Sequence, residues 1–198
     1  MRTTFGSLLL VIALGAAALA GGCAMQSSTK PVEYLDERTA ATVGALKDPI
    51  ELVPSTASGA ALHGIGRRIS FAYLGPVEWD NAGQYGYGLW VHVAAGTDWT
   101  AADIRSPSAV TLVLDEERLT LVPMDAPQLG RAAYQPIASW GQTAYFELNV
   151  KMLQRMAASQ KLTLDVHGAD GGTITFVPSG DTHAALSEFL RARALTGD

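Results

Sequence analysis

Four histidines are the side chains most capable of binding a metal ion or moving a proton: His63, His92, His167 and His183. A metal site needs several converging His, Cys, Asp or Glu ligands, and no two of these histidines have the i, i+4 spacing of a helical site. Asp165 and His167 would share one face of a strand, where both could touch an ion. A solvated polar face explains that pair more simply. We therefore expect no metal ligand and no cofactor.

Serines and carboxylates are the remaining candidates for catalysis. A nucleophilic serine usually lies in a G-x-S-x-G turn beside a base. No serine here has those neighbours, and Ser179, between a proline and a glycine, is typical of a turn before a helix. The acidic run 115–117 falls in a predicted hairpin turn, where exposure leaves carboxylates without the burial that tunes a catalytic pKa. The sequence therefore predicts no catalytic residue.

The predicted strand pair around the turn 80–83 is rich in aromatic side chains and is the one feature that suggests binding. Its rings are Phe71, Tyr73, Trp79, Tyr85, Tyr87, Trp90 and His92. The predicted register pairs Tyr73 with Trp90, and it also pairs Phe71 with His92. Such an aromatic platform could stack on a sugar, a peptide or a lipid, which makes Tyr73, Trp90 and His92 possible binding residues. The interpretation that we favour is that these rings are covered on both faces and belong to the core.

Short segments of alternating apolar and polar residues must position these side chains. The predicted strands are 39–46, 50–53, 68–79, 84–95, 109–114, 119–123, 143–148, 161–167 and 173–178. Gly75-Pro76 predicts a bulge or bend in its strand. Two later segments have helical spacing, 149–160 and a terminal helix that Asp181 would cap. The pattern predicts a mainly β protein, an antiparallel β-sandwich of about eight strands with two helices near the C-terminus. A small β-barrel is the alternative.

Alternation also predicts which side chains form the core. The predicted core positions are Leu112, Leu114, Leu119, Leu121, Leu162, Leu164, Val166, Ile174 and Phe176. Leu114 is expected to pair with Leu119 across a turn at 115–118. The predicted strands 161–167 and 173–178 form a hairpin, and its face opposite the core, with Thr163 and Asp165, is expected to face water.

The N-terminal segment 1–22 has the features of a secretory signal. Arg2 precedes an apolar run that is too short to span a bilayer, and small residues then lead to Cys23, the only cysteine. This arrangement resembles the lipobox of bacterial lipoproteins. The resemblance implies cleavage before Cys23, a diacylglycerol thioether on its sulfur and an acyl group on its new amine. Residues 23–30 would then be a lipidated cysteine with a flexible tether, and 31–198 a single domain.

Composition limits the partners of such a domain. Removal of 1–22 from the 198 residues leaves 176, with 13 of the 14 basic side chains and all 19 acidic ones, a net charge of about −6. This balance argues against nucleic acid, which needs a basic patch. The run 34–43 resembles the start of the mature domain in uncharacterised proteobacterial lipoproteins. Because Ala24 follows Cys23, the lipoprotein sorting rule implies transfer to the outer membrane, with the domain facing the periplasm.

Three functions are compatible with these observations. We expect first a non-enzymatic envelope lipoprotein, a structural or protein-interaction module held on the membrane through Cys23, with an envelope protein or the cell wall as partner. The alternative is a module that binds a glycan, a peptide or a lipid through the aromatic hairpin 71–92. A hydrolase has the least support, because the histidines, serines and carboxylates do not cluster along the sequence.

Overall fold

The computed structural model describes residues 30–55, 70–96, 100–106, 108–193 and 195. Its strands are β1 Pro31–Asp36, β2 Ala41–Leu46, β3 Ile50–Pro54, β4 Phe71–Asn81, β5 Gln84–Ala94, β6 Val110–Leu114, β7 Glu117–Thr120, β8 Pro123–Met124, β9 Gln142–Glu147, β10 Leu162–His167 and β11 Thr173–Pro178. Its helices are α1 Val150–Ala158 and α2 Thr182–Ala192. Cys23 and His63 lie outside the described residues. No helix within the described ranges is long and apolar enough to cross a bilayer.

The strands form one antiparallel sheet in the order β7-β6-β10-β11-β3-β4-β5-β9-β8, with β2 pairing with β4 and β1 pairing with β2 at a branch. The sheet curls strongly into a half-barrel. The prediction of a mainly β fold of the sandwich or barrel class, with two helices late in the chain, is confirmed. Strands β1 and β8 were not predicted from the sequence.

Two layers cover the sheet. The helices α1 and α2 pack against each other, and their buried side chains, among them Leu153 and Phe189, belong to the same hydrophobic core as the sheet. As predicted, Asp181 caps α2, accepting a hydrogen bond from the backbone N–H of Ala184 at 2.8 Å. The other layer is residues 125–141, a segment without helix or strand that we call the strap. It is tied to the hairpins β1–β2 and β4–β5 through side chains described below.

The central hairpin β4–β5 closes more tightly than predicted. Ala82 and Gly83 form a two-residue turn with φ of 53° and 86°, the geometry of a type I′ turn. Tyr73 therefore pairs with His92 rather than with Trp90. Because this register differs from the predicted one by two residues, each side chain keeps its predicted face.

Of the bulge or bend predicted at Gly75-Pro76, the bulge is wrong, since the ladder between β4 and β5 is continuous from Phe71 to Asn81. On its other side β4 pairs with β3 up to Leu74 and with β2 from Val77 onward. Pro76 thus lies at the change of partner strand, where the N–H that proline lacks is not needed for the ladder.

The hairpins β6–β7 and β10–β11 confirm most of the predicted core. Eight of the nine predicted positions are buried. Leu119 is half-buried on β7, which lies at one end of the strand order. It pairs with Leu112 rather than, as predicted, with Leu114, because β6 and β7 turn at Asp115-Glu116. The predicted wet face of β10 is wrong: Asp165 is only 6% exposed. Its two oxygens accept hydrogen bonds from Arg118 at 2.8 Å and from Thr175 at 2.7 Å.

Candidate functional site

The aromatic hairpin divides into a covered base and an open tip. At the base, Trp90 is 1% exposed and His92 is fully buried, while Tyr73 is half-buried. The His92 ring stacks on Trp90 with 5.8 Å between centroids and an interplanar angle of 15°. Of the three possible binding residues, only Tyr73 therefore reaches the surface. Its hydroxyl points to Glu51 at 3.4 Å, and burial raises its pKa.

His92 has both ring nitrogens occupied within the protein. Nε2 lies 3.3 Å from the backbone nitrogen of Ala138 in the strap and accepts its N–H. Nδ1 lies 2.9 Å from Thr143 Oγ1, and as the protonated nitrogen of a neutral ring it donates to that hydroxyl. Burial lowers the pKa of His92, so the neutral form is favoured. This histidine joins the strap to the sheet and has no nitrogen left for a ligand.

The strap packs closely over the base of the hairpin. The ring of Tyr134 lies 5.2 Å from the ring of Trp90, and it occupies the space that a side chain at position 75 would need. Its hydroxyl accepts the N–H of Leu46 at 2.9 Å and donates to the carbonyl of Pro76 at 3.0 Å. The hydroxyl of Tyr134 thus bridges β2 and β4 at the point where β4 changes partner.

Asp36, at the end of β1, holds the opposite end of the strap. The residue is 4% exposed, and its carboxylate accepts the N–H of Gly130 at 2.9 Å together with the hydroxyl of Thr39. The hydrogen bond from Thr39, followed by that from Gly130, lowers the pKa of Asp36. Tyr34 donates to the carbonyl of Arg131 at 3.2 Å. These anchors lie within the run 34–43 that the sequence analysis singled out, which gives that run a structural role.

The tip of the hairpin, by contrast, borders an open cavity of about 320 Å³. The indole of Trp79 lies over Gly86, where a Cβ atom would come within 2.2 Å of Trp79 Cε2. Tyr85 is 60% exposed beside it. The amide side chains that line the cavity are those of Asn81, Gln84 and Gln128. None of the described residues lining this cavity is Asp, Glu, Lys, Arg or His.

These polar groups at the tip have no partners in the described parts of the chain. The three amides and the indole N–H of Trp79 form no side-chain hydrogen bond there. Thr39, also at the cavity, uses its hydroxyl on Asp36. The sequence pattern places Trp79 and Tyr85 in the aromatic hairpin but does not indicate the amides as part of a site. Gln128 belongs to the strap, far from the hairpin in sequence, so no local pattern connects it with Trp79.

The other polar candidates have structural partners. His167 Nδ1 lies 2.7 Å from Thr173 Oγ1, and His183 Nδ1 contacts the carbonyl of Ala157. Asp115 caps the backbone N–H groups that follow α1, with bonds of 3.0 Å to Gln160 and Lys161. Within the ranges that the structure describes, no group of three or more His, Cys, Asp or Glu side chains converges to hold a metal ion.

A second cavity, of about 300 Å³, lies beside the N-terminus of α2. Its polar walls include Lys161, Thr182 and His183. The hydroxyl oxygen of Thr182 has no partner among the described residues, but it is itself inaccessible to solvent. It therefore offers no hydrogen bond to a molecule in the cavity.

Comparison of the chain with protein-family models, with curated proteins and with solved structures finds no match. Its own residues are therefore the basis for assigning a function.

Proposed function

We propose that the protein is a non-enzymatic lipoprotein of the cell envelope that binds an extended segment of a partner protein. The run of small residues before Cys23 supports attachment of lipid at that residue. Because β1 begins at Pro31, only a short tether would separate the lipid from the folded domain. The sorting rule inferred from Ala24 favours the outer membrane, with the domain in the periplasm.

The observation that carries the interaction role is the open edge of β1. Among the strands that the structure describes, β1 pairs only with β2. The backbone N–H of Lys47 donates to the carbonyl of Lys30 at 2.8 Å, so these two residues form a hydrogen-bonded pair. Hydrogen-bonded and non-hydrogen-bonded pairs alternate along an antiparallel ladder. Glu33 and Leu35 consequently direct their backbone N–H and C=O groups away from β2. An extended peptide has the alternating donors and acceptors that match such an edge.

The side chains of β1 favour a partner with apolar residues. Leu35 is 63% exposed and Val32 is 37% exposed. Natural edge strands are commonly protected by charge or proline. Here Pro31 protects only the first position, and Glu33 is drawn into an ion pair with Arg193. An added strand would cover Leu35 as well as bond the free backbone groups.

Site-specific crosslinking in cells tests this proposal. A photoreactive amino acid at Leu35 is expected to trap an envelope protein, whereas the same probe at Ile137, which is 54% exposed on the strap, is expected not to. Equal products at both positions, or none at Leu35, would contradict docking on β1. Replacing Leu35 with Pro, which blocks one outward N–H, should abolish the crosslink formed by a probe at Val32.

The alternative function is binding of a small ligand by the hairpin 71–92. The structure disfavours the base of the hairpin as the binding surface, because Trp90 and His92 are buried. The uncharged cavity at the tip, with Trp79 and Tyr85, is the observation that favours this alternative.

A further inference from the structure

The open cavity at the tip of β4–β5 combines an aromatic surface with uncharged hydrogen-bonding groups. Trp79 supplies a flat indole that is half-buried, and Tyr85 adds a largely exposed ring beside it. A ring exposed at one face can stack on an apolar face of a ligand. Because Gly86 has no side chain, Trp79 is held flat against the strand rather than turned into solvent.

The amides Asn81, Gln84 and Gln128 determine the chemistry of the ligand. Each amide offers an acceptor oxygen and two donor hydrogens. Together they match groups that donate and accept hydrogen bonds at the same oxygen atom, as the hydroxyls of a sugar do. Their lack of internal partners means that binding would break no hydrogen bond within the described residues.

The absence of formal charge among the described lining residues argues against ionic ligands. Phosphate and carboxylate groups are normally held by Arg, Lys or backbone N–H clusters. Metal sites in proteins are built mainly from His, Cys and carboxylate ligands, and none of these is among the described lining residues. The volume of about 320 Å³ is at the lower end for small-ligand sites, which suits one sugar ring or the end of a glycan chain.

From this combination we infer that the tip cavity, bounded by Trp79, Tyr85, Asn81, Gln84 and Gln128, binds a neutral saccharide. The inference deepens the ligand-binding alternative described above and is independent of docking on β1. The ligand stacks on the rings, and its hydroxyls bond the amides. Gln128 places the strap at the site, so the strap contributes to binding as well as to covering the core.

Titration of the soluble domain with neutral trisaccharides tests the inference. The probes are maltotriose, cellotriose and the trimer of N-acetylglucosamine, with trigalacturonic acid as a charged comparison. At least one neutral probe is expected to bind and to change tryptophan fluorescence, and the charged probe is expected to bind at least about tenfold more weakly. Tyr85→Ala and Gln128→Ala should each weaken binding about tenfold, equivalent to about 1.4 kcal/mol.

Two controls separate the site from general effects. Trp140→Ala removes a tryptophan that is 46% exposed outside the cavity and should leave affinity unchanged. Circular dichroism and unfolding curves should show that Tyr85→Ala and Gln128→Ala remain folded. Failure of all neutral probes, equal affinity for the charged probe, or loss of binding only in Trp140→Ala would overturn the inference. The crosslink at Leu35 would persist in each case if the proposed protein-docking function is correct.

Discussion

His92 shows how the surroundings of a side chain decide its role. Histidine is common in catalytic and metal sites, and this one lies among aromatic rings that resemble a binding platform in sequence. In the structure its two nitrogens contact Ala138 and Thr143, and no solvent reaches it. Gly141 is required beside it, because a Cβ there would lie 2.4 Å from His92 Cε1. The residue therefore joins the strap to the sheet.

Acid is expected to weaken this connection. Burial lowers the pKa of His92 in the folded state, whereas in the unfolded chain it is near the ordinary value of about 6.5. The unfolded state then binds the proton more readily, so the stabilisation is complete above about pH 6.5 and declines as the pH falls below it. Free energies of unfolding at pH 7.5 and 5.5 should differ more for the natural protein than for His92→Gln. The other histidines are common to both proteins; an equal pH dependence would contradict the assignment.

The tip of the same hairpin shows what residue types alone do not reveal. Trp90 and Trp79 are both aromatic residues of the hairpin, but Trp90 is covered by Tyr134 while Trp79 borders a cavity. The difference comes from the path of the strap. Its residue Gly130 is hydrogen-bonded to Asp36, which lies 94 positions away in sequence. Local spacing therefore could not distinguish the two tryptophans. It directed attention to Tyr73, Trp90 and His92, of which two are core.

At the scale of elements, alternation of apolar residues was a reliable guide to the hairpins, the core-facing sides of their strands and the two helices, although it wrongly assigned the other side of β10 to solvent. It did not determine the registers. Both β4–β5 and β6–β7 close with two-residue turns, in which Ala82 and Asp115 adopt positive φ. Glycine is the residue that tolerates positive φ most readily, so composition did not predict these positions. Strand β1 was missed because its alternation is interrupted by exposed Leu35 and buried Asp36.

Trp90 tests the assignment of the hairpin base to the core. Trp90→Ala should destabilise the domain by about 3–5 kcal/mol, because the surrounding rings cannot close the cavity that remains. Trp140→Ala, at a half-exposed tryptophan of the strap, should cost less than about 1 kcal/mol. Denaturant titration of both variants measures the difference. A small effect at Trp90 would contradict its burial and would support binding at the hairpin base.

The attachment of α2 to the sheet depends on a buried ion pair. Arg193, at the C-terminal end of α2, bonds Glu78 of β4 at 2.7 Å, with side chains 11% and 2% exposed. Gly44 makes this approach possible, since a Cβ there would lie 2.6 Å from Arg193 Nε. The helix is thereby held against β2 and β4.

Removal of one partner should leave an unpaired buried charge. Arg193→Met is expected to cost about 3–5 kcal/mol, and addition of Glu78→Gln in the same protein should recover part of that loss. The exposed pair Arg105–Asp103 provides the control, where Arg105→Met should cost at most about 1 kcal/mol. Unfolding by denaturant distinguishes these outcomes. Equal small effects would mean that the contact between Arg193 and Glu78 does not stabilise α2.

At the scale of the whole molecule, a curled sheet carries two separate surfaces. The open edge of β1 is close along the chain to the proposed lipid at Cys23, while the tip cavity is formed by the β4–β5 hairpin, the β1–β2 turn and the strap. Asp36 and Thr39 connect these regions, because the same carboxylate that ends β1 also holds Gly130 of the strap. The side chains proposed for binding nevertheless differ, Leu35 at the edge and Tyr85 and Gln128 at the tip. Docking and ligand binding can be tested by separate variants of these residues.

Membrane attachment through Cys23 is the central claim, and the intact mass of the protein isolated from its own cells tests it most directly. A lipobox predicts a mature chain that begins at Cys23 and carries a diacylglycerol and an additional acyl group. Cys23→Ser should abolish both the added mass and the cleavage. A mature chain that begins elsewhere, or one that begins at Cys23 without acyl groups, would contradict the account.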